Sequence, residues 1–161
     1  MKNRKILIAL MTVSPWLSLP LLGKKPIKRF LPGTIFMCLY LVVEGSIATK
    51  RRWWWFPSTL KPNILGELPL IFGPFLVGSF WIFRFTYGKF SFYFLLNLII
   101  DSIFTFIMLD WFKKIGYVTL VRINRVQLSL IFLLKSVLMY GFQYLYEQIF
   151  ISRNKVKDID S

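Results

Sequence analysis

"FSFYFLLNLIIDSIFTFIMLDWF", residues 90–112, contains no proline and no cation, and Lys113 and Lys114 close it. As a helix it would be about 34 Å long, enough to cross a hydrocarbon layer of about 30 Å. Working outward, the same pattern of an apolar run bounded by cations recurs. Further spans are predicted over 6–22, 31–49, 64–83 and 126–151. The expected fold class is therefore all-α, a polytopic transmembrane helix bundle of about five spans. One transmembrane domain would occupy 1–151, followed by a polar tail over 152–161.

The first and third spans carry exceptions. Pro15 and Pro20 interrupt the first, so a re-entrant or interfacial segment, leaving four spans, is the alternative. Its basic start, "MKNRK", also suits a signal peptide, but "GKKPIKR" follows where a small-residue cleavage site would stand. Pro69 and Pro74 should bend or delay the third span. The fifth, about 39 Å as a helix, is long enough to tilt or to project.

Composition agrees. Of 161 residues 56% are hydrophobic, yet the formal net charge is +14, from 21 Lys and Arg against 7 Asp and Glu. In a soluble domain that excess would point to nucleic acid. Here the cations cluster in short loops beside apolar runs, where anionic headgroups of the lipid bilayer are the nearer partner, so no nucleic acid is expected. There is no histidine and one cysteine, Cys38, read as a small apolar residue within a span. An internal disulfide is excluded, as are serine–histidine and cysteine–histidine catalysis within the chain, and a Cys/His metal site is unsupported. No catalytic, cofactor-binding or metal residue is assigned.

"KRRWWWFP", residues 50–57, combines cations with indoles. Indole favours the headgroup level, and cations favour phosphates. Arg51, Arg52, Trp53, Trp54 and Trp55 are accordingly expected to be a membrane-interface anchor. The loop cations on the side of Lys2, Lys50, Arg51, Arg52, Lys113 and Arg125 slightly outnumber those on the other side, which leans towards a cytoplasmic N-terminus.

The stretches "IKRFLPG", "RRWWWF", "ELPLIFGPFLVGSFWIFRFTYGKF" and "LLNLIIDSIFTF" resemble those of small multi-spanning membrane proteins of endospore-forming Gram-positive bacteria. The resemblance covers most of the chain from about Ile27. It implies a multi-pass protein of a bacterial cell membrane, and it implies no activity, since none is assigned to such proteins.

Ionisable residues within apolar spans cost about 2.5–3.5 kcal/mol each at the helix centre and point to function. Glu44, Glu67, Asp101 and Lys135 qualify. Asn97 and Thr105, four residues either side of Asp101, extend a polar strip. On the fifth span Ser129, Ser136, Tyr140, Gln143 and Glu147 fall within roughly 40° of one line, with Lys135 off it. The plainer reading of these strips is helix–helix contact held by hydrogen bonds. Glu44 and Glu67, each about 9 Å of helix from one face, are expected at matched depth, either facing each other or paired with loop cations. Asp101 and Lys135, about 18 Å and 15 Å from a shared loop, are expected to form an ion pair, with Asn97 and Thr105 completing the hydrogen bonds. Gly73-Pro74 reads as a packing notch and a kink.

The leading expectation for function is a non-enzymatic membrane component or assembly partner, a homo-oligomer or the companion of another membrane protein. A carrier or channel for a small solute or cation, using Glu44, Glu67 and Asp101, is the alternative. A lipid-modifying enzyme comes third, for want of a histidine or a paired-aspartate signature.

Overall fold

Gly23 takes φ +83°, a backbone that suits glycine, and it is the single residue between the first two long helices. The structure, a computed structural model, describes residues 2–57 and 66–151, with side chains placed for 5–57 and 66–150. Five helices are long and apolar enough to cross a membrane: α1 (Lys5–Leu22), α2 (Lys24–Arg51), α3 (Leu68–Thr86), α4 (Phe90–Lys114) and α5 (Arg125–Phe150). The chain is an all-α polytopic bundle.

Local chemistry sets the helix limits. α2 begins at Lys24, well before residue 31, because Pro26 falls in its first turn, where a missing N–H costs nothing. α3 begins at Leu68, later than residue 64, with Pro69 in its first turn. Residues 58–65, where that span was expected to start, and the tail over 152–161 lie outside the described residues. The kink expected at Pro74 is a widened π turn over Ile71–Phe75. A capping box opens α5: the Asn124 side chain accepts from the Gln127 N–H at 2.8 Å, and Gln127 Oε1 accepts from the Asn124 N–H at 3.0 Å.

α2 packs against α3 and α5, and α4 packs against the same two, so four helices surround one axis. α1 lies outside them, mainly along α3. There Gly73 is the expected notch: a Cβ on it would stand 2.8 Å from the Thr12 Cα. Trp16 donates to the Phe72 carbonyl, and Arg84 to the carbonyls of Leu21 and Leu22, so α1 is tied to α3 at both ends of the contact.

The outer faces are apolar. Leu31, Ile35, Leu39 and Val43 on α2, and Leu95, Ile99 and Ile103 on α4, are all exposed. That is the arrangement of helices meeting lipid. Inside, two apolar clusters form, one around Phe30, Phe83 and Tyr93 and the other around Trp54, Phe112 and Tyr117.

The second cluster is roofed by the loops that follow α2 and α4. β1 (Trp54–Trp55) pairs antiparallel with β2 (Thr119–Leu120), Trp54 opposite Leu120. Two residues per strand cannot hold a ladder alone. Phe56 packs edge-on against Tyr117, whose hydroxyl donates to the Gly66 carbonyl at 2.9 Å, and this fastens the roof to the start of α3.

Candidate functional site: a buried charged cluster

α2 and α5 run antiparallel and are joined by polar contacts along their length. Arg29 Nε donates to Glu147 Oε1 at 2.8 Å. Gln143 accepts from the Gly33 N–H at 3.0 Å and donates to the Arg29 carbonyl at 2.9 Å. Phe36 and Phe142 stack at 4.1 Å between centroids. The predicted strip of α5 thus serves contacts within the chain: Gln143 and Glu147 meet α2, and Tyr140 packs against Tyr87, Phe90 and Tyr93.

Deeper along the same seam, Lys135 Nζ lies 2.5 Å from Glu44 Oε2, both side chains almost fully buried. The expected Asp101–Lys135 bridge is not made. Lys135 projects from α5 at its contact with α2, so its ammonium reaches Glu44 and lies 4.8 Å from the Phe132 ring centroid. Asp101, on α4, lines one cavity together with Lys135, and Glu67 lines another that Lys135 also borders. Asp101 is 9% exposed, and its Oδ2 has no hydrogen-bond partner among the described residues.

The neighbours expected to serve Asp101 do not. Asn97 turns its amide back to the Tyr93 carbonyl at 2.8 Å, a bond mid-helix Asn readily makes. Thr105 is fully buried, and its Oγ1 is likewise without a partner among the described residues.

Glu67 sits one residue before α3, outside that span. Its Oε1 accepts from the Trp54 indole N–H. Its other oxygen rests on α2 at Gly45, where a Cβ would come within 2.6 Å. Glu67 thus meets α2 one residue from Glu44, and each carboxylate has its own donor, Trp54 for one and Lys135 for the other. Burial pushes the Glu67 carboxyl up to about 7, while the indole and Lys135 pull the other way.

The tryptophan motif divides by alternation. Arg51 and Arg52 are exposed, Trp53 is half-buried, Trp54 and Phe56 are buried and Trp55 is 40% exposed. Trp54 therefore faces protein, as the first residue of β1, whose side chains point alternately in and out. Sequence reasoning missed its role as the donor to Glu67, and no spacing rule would have found it.

Two cavities meet the cluster. One of about 230 Å³ is lined by Asp101, Asn97, Ser79, Ser136 and Lys135, with Phe75 and Phe132 among its apolar walls. The other, about 60 Å³ and mainly apolar, holds Glu67 and Trp54. Lys135 and Phe132 line both.

No protein-family model matches the chain, and no curated protein or solved structure does.

Proposed function

We propose that the chain is a multi-pass protein of a bacterial cell membrane, N-terminus cytoplasmic, that carries a small cation or cationic solute through its charged cluster. The observation behind this is the convergence of Glu44, Glu67 and Asp101 on one buried lysine between two cavities. A helix contact needs only the Glu44–Lys135 pair. Two further carboxylates leave the interior with surplus negative charge, an expensive arrangement that a transient cation or proton would offset. The basic loops would meet anionic headgroups on either side.

The assembly-partner reading, with a homo-oligomer or another membrane protein, draws less support. Of the polar strip of α5, one of the faces that could meet such a partner, Gln143 and Glu147 are engaged within the chain.

The test is flux. Purified protein in vesicles of phosphatidylethanolamine and phosphatidylglycerol, with a trapped pH-sensitive dye, is given outward gradients of sodium, potassium or methylammonium. Protein-dependent flux that Asp101→Asn abolishes is the expected result. Folded protein that passes none of these ions above empty vesicles would overturn the reading, and a stoichiometric protein partner retained through purification would favour assembly.

A further inference from the structure

We infer that the larger cavity binds a small organic ammonium ion, its charge on Asp101. This rests on the cation-handling reading above and names the class of its cargo. The argument begins with where the polar groups of that cavity spend their donors. Ser79 donates to the Phe75 carbonyl at 2.7 Å, Ser136 to the Leu133 carbonyl at 2.8 Å, and Asn97 to the Tyr93 carbonyl at 2.8 Å. What these side chains retain for the cavity is chiefly acceptor capacity: hydroxyl lone pairs and an amide oxygen.

To these Asp101 adds a carboxylate, nine-tenths buried, whose Oδ2 has no partner among the described residues. Among the described residues Lys135 is the one cation on the wall, and it is held by Glu44. A guest that brings N–H donors and a positive charge matches every polar group left over, whereas an anion or a pure acceptor matches none of them.

Size and walls narrow the class. A cavity of 150 Å³ takes a benzene ring, so about 230 Å³ holds roughly seven to nine non-hydrogen atoms. Phe75, Phe132, Met37 and Met139 line the rest of it. These surfaces suit a hydrocarbon body, and they leave a fully hydrated metal ion poorly served. A primary ammonium on a compact apolar body fits both halves.

The experiment measures binding to the full chain in lipid nanodiscs, by thermal shift and intrinsic tryptophan fluorescence, with cyclohexylammonium as probe and cyclohexanol as its neutral counterpart. Expected is a saturable response to cyclohexylammonium, with cyclohexanol weaker by about tenfold or more, the size of one charge-assisted hydrogen bond. Asp101→Asn should lose the same factor and Asp101→Glu should keep most of the response. Gly78→Leu gives a second route. Gly78 lines the cavity, and a Cβ there meets nothing within 4 Å, so added bulk should block the probe without touching the charged groups. Equal responses to the two probes, or a response unchanged by both Asp101→Asn and Gly78→Leu, would overturn the inference. Cation flux through vesicles with no cyclohexylammonium binding would overturn it too, and leave the transport reading standing. Saturable binding without flux would uphold the site and remove the transport reading.

Discussion

Gln143 holds both groups of one helical turn of α2: the Gly33 N–H donates to its Oε1 at 3.0 Å, and its Nε2 donates to the Arg29 carbonyl at 2.9 Å. Pro32 lies within that turn, where it removes a backbone donor from the helix. An amide from a neighbouring helix thus serves backbone groups beside the proline, and this turn becomes a docking point for α5.

Gly33→Ala tests this contact. The new Cβ would stand 2.7 Å from Gln143 Oε1 and 3.1 Å from Gln143 Cβ, so α2 and α5 must separate or the amide must leave. Overpacking of this kind costs about 1–3 kcal/mol. Thermal unfolding in detergent should show the loss, and Gln143→Ala added to Gly33→Ala should recover part of it. No recovery would mean that α2 and α5 are not in register here.

Trp54 and Trp55 should respond differently to the same change. Trp54→Phe removes the indole N–H that meets Glu67 and should cost about 1.5–3 kcal/mol, the range for a hydrogen bond to a charged group. Trp55→Phe, on the exposed side of the strand, should be close to neutral. Equal effects would contradict the alternation that points Trp54 inward.

A pH dependence follows from Glu67. Its carboxyl is raised from 4.5 to about 7 in the folded chain, so the folded state binds the proton more tightly than the unfolded state. Stability from this group is full below pH 4.5, falls as pH rises towards 7 and then levels. Glu44, Lys135 and Tyr117 also act on or near this carboxyl, and their presence sets the background. Urea unfolding between pH 4.5 and 7.5 should show the decline, and Glu67→Gln should flatten it. An unchanged slope in Glu67→Gln would assign the dependence to another group.

The capping box at α5 gives a local prediction. Asn124→Ala should cost about 0.5–2 kcal/mol, through the loss of the bond to the Gln127 N–H. Asn124→Ser, which retains an acceptor, should recover most of it.

Much of the fold was legible because hydropathy and proline position act locally. The run over 90–112 needs no partner to be recognised as a span. The site was legible in part. Sequence distance from a loop gives height along a helix, though not for Glu67, which stands outside its span. It does not give rotation about the axis, which neighbouring helices set. Asp101 and Lys135 have similar heights, yet Lys135 stands at the seam with α2 and takes Glu44. Trp54 failed for a related reason. Indoles beside cations have the same composition in an interface anchor and in a roof over a bundle. What separates the two is the left-handed turn at Arg52, φ 55°, which ends α2 and sends the next residues back over the bundle as a strand.

The pairing of Lys135 with Glu44, which leaves Asp101 open, is the claim on which the rest depends, and charge exchange measures it directly. Lys135→Met or Glu44→Gln alone should cost about 3–5 kcal/mol, as expected when one partner of a buried pair is removed. Stability and membrane abundance would be compared for Glu44→Lys with Lys135→Glu and for Asp101→Lys with Lys135→Asp, each beside its charge-reversed single variants. The account expects recovery in the first exchange and none in the second. Recovery in the second exchange alone would show that Asp101 is the partner of Lys135, and would remove both the pairing and the open carboxylate.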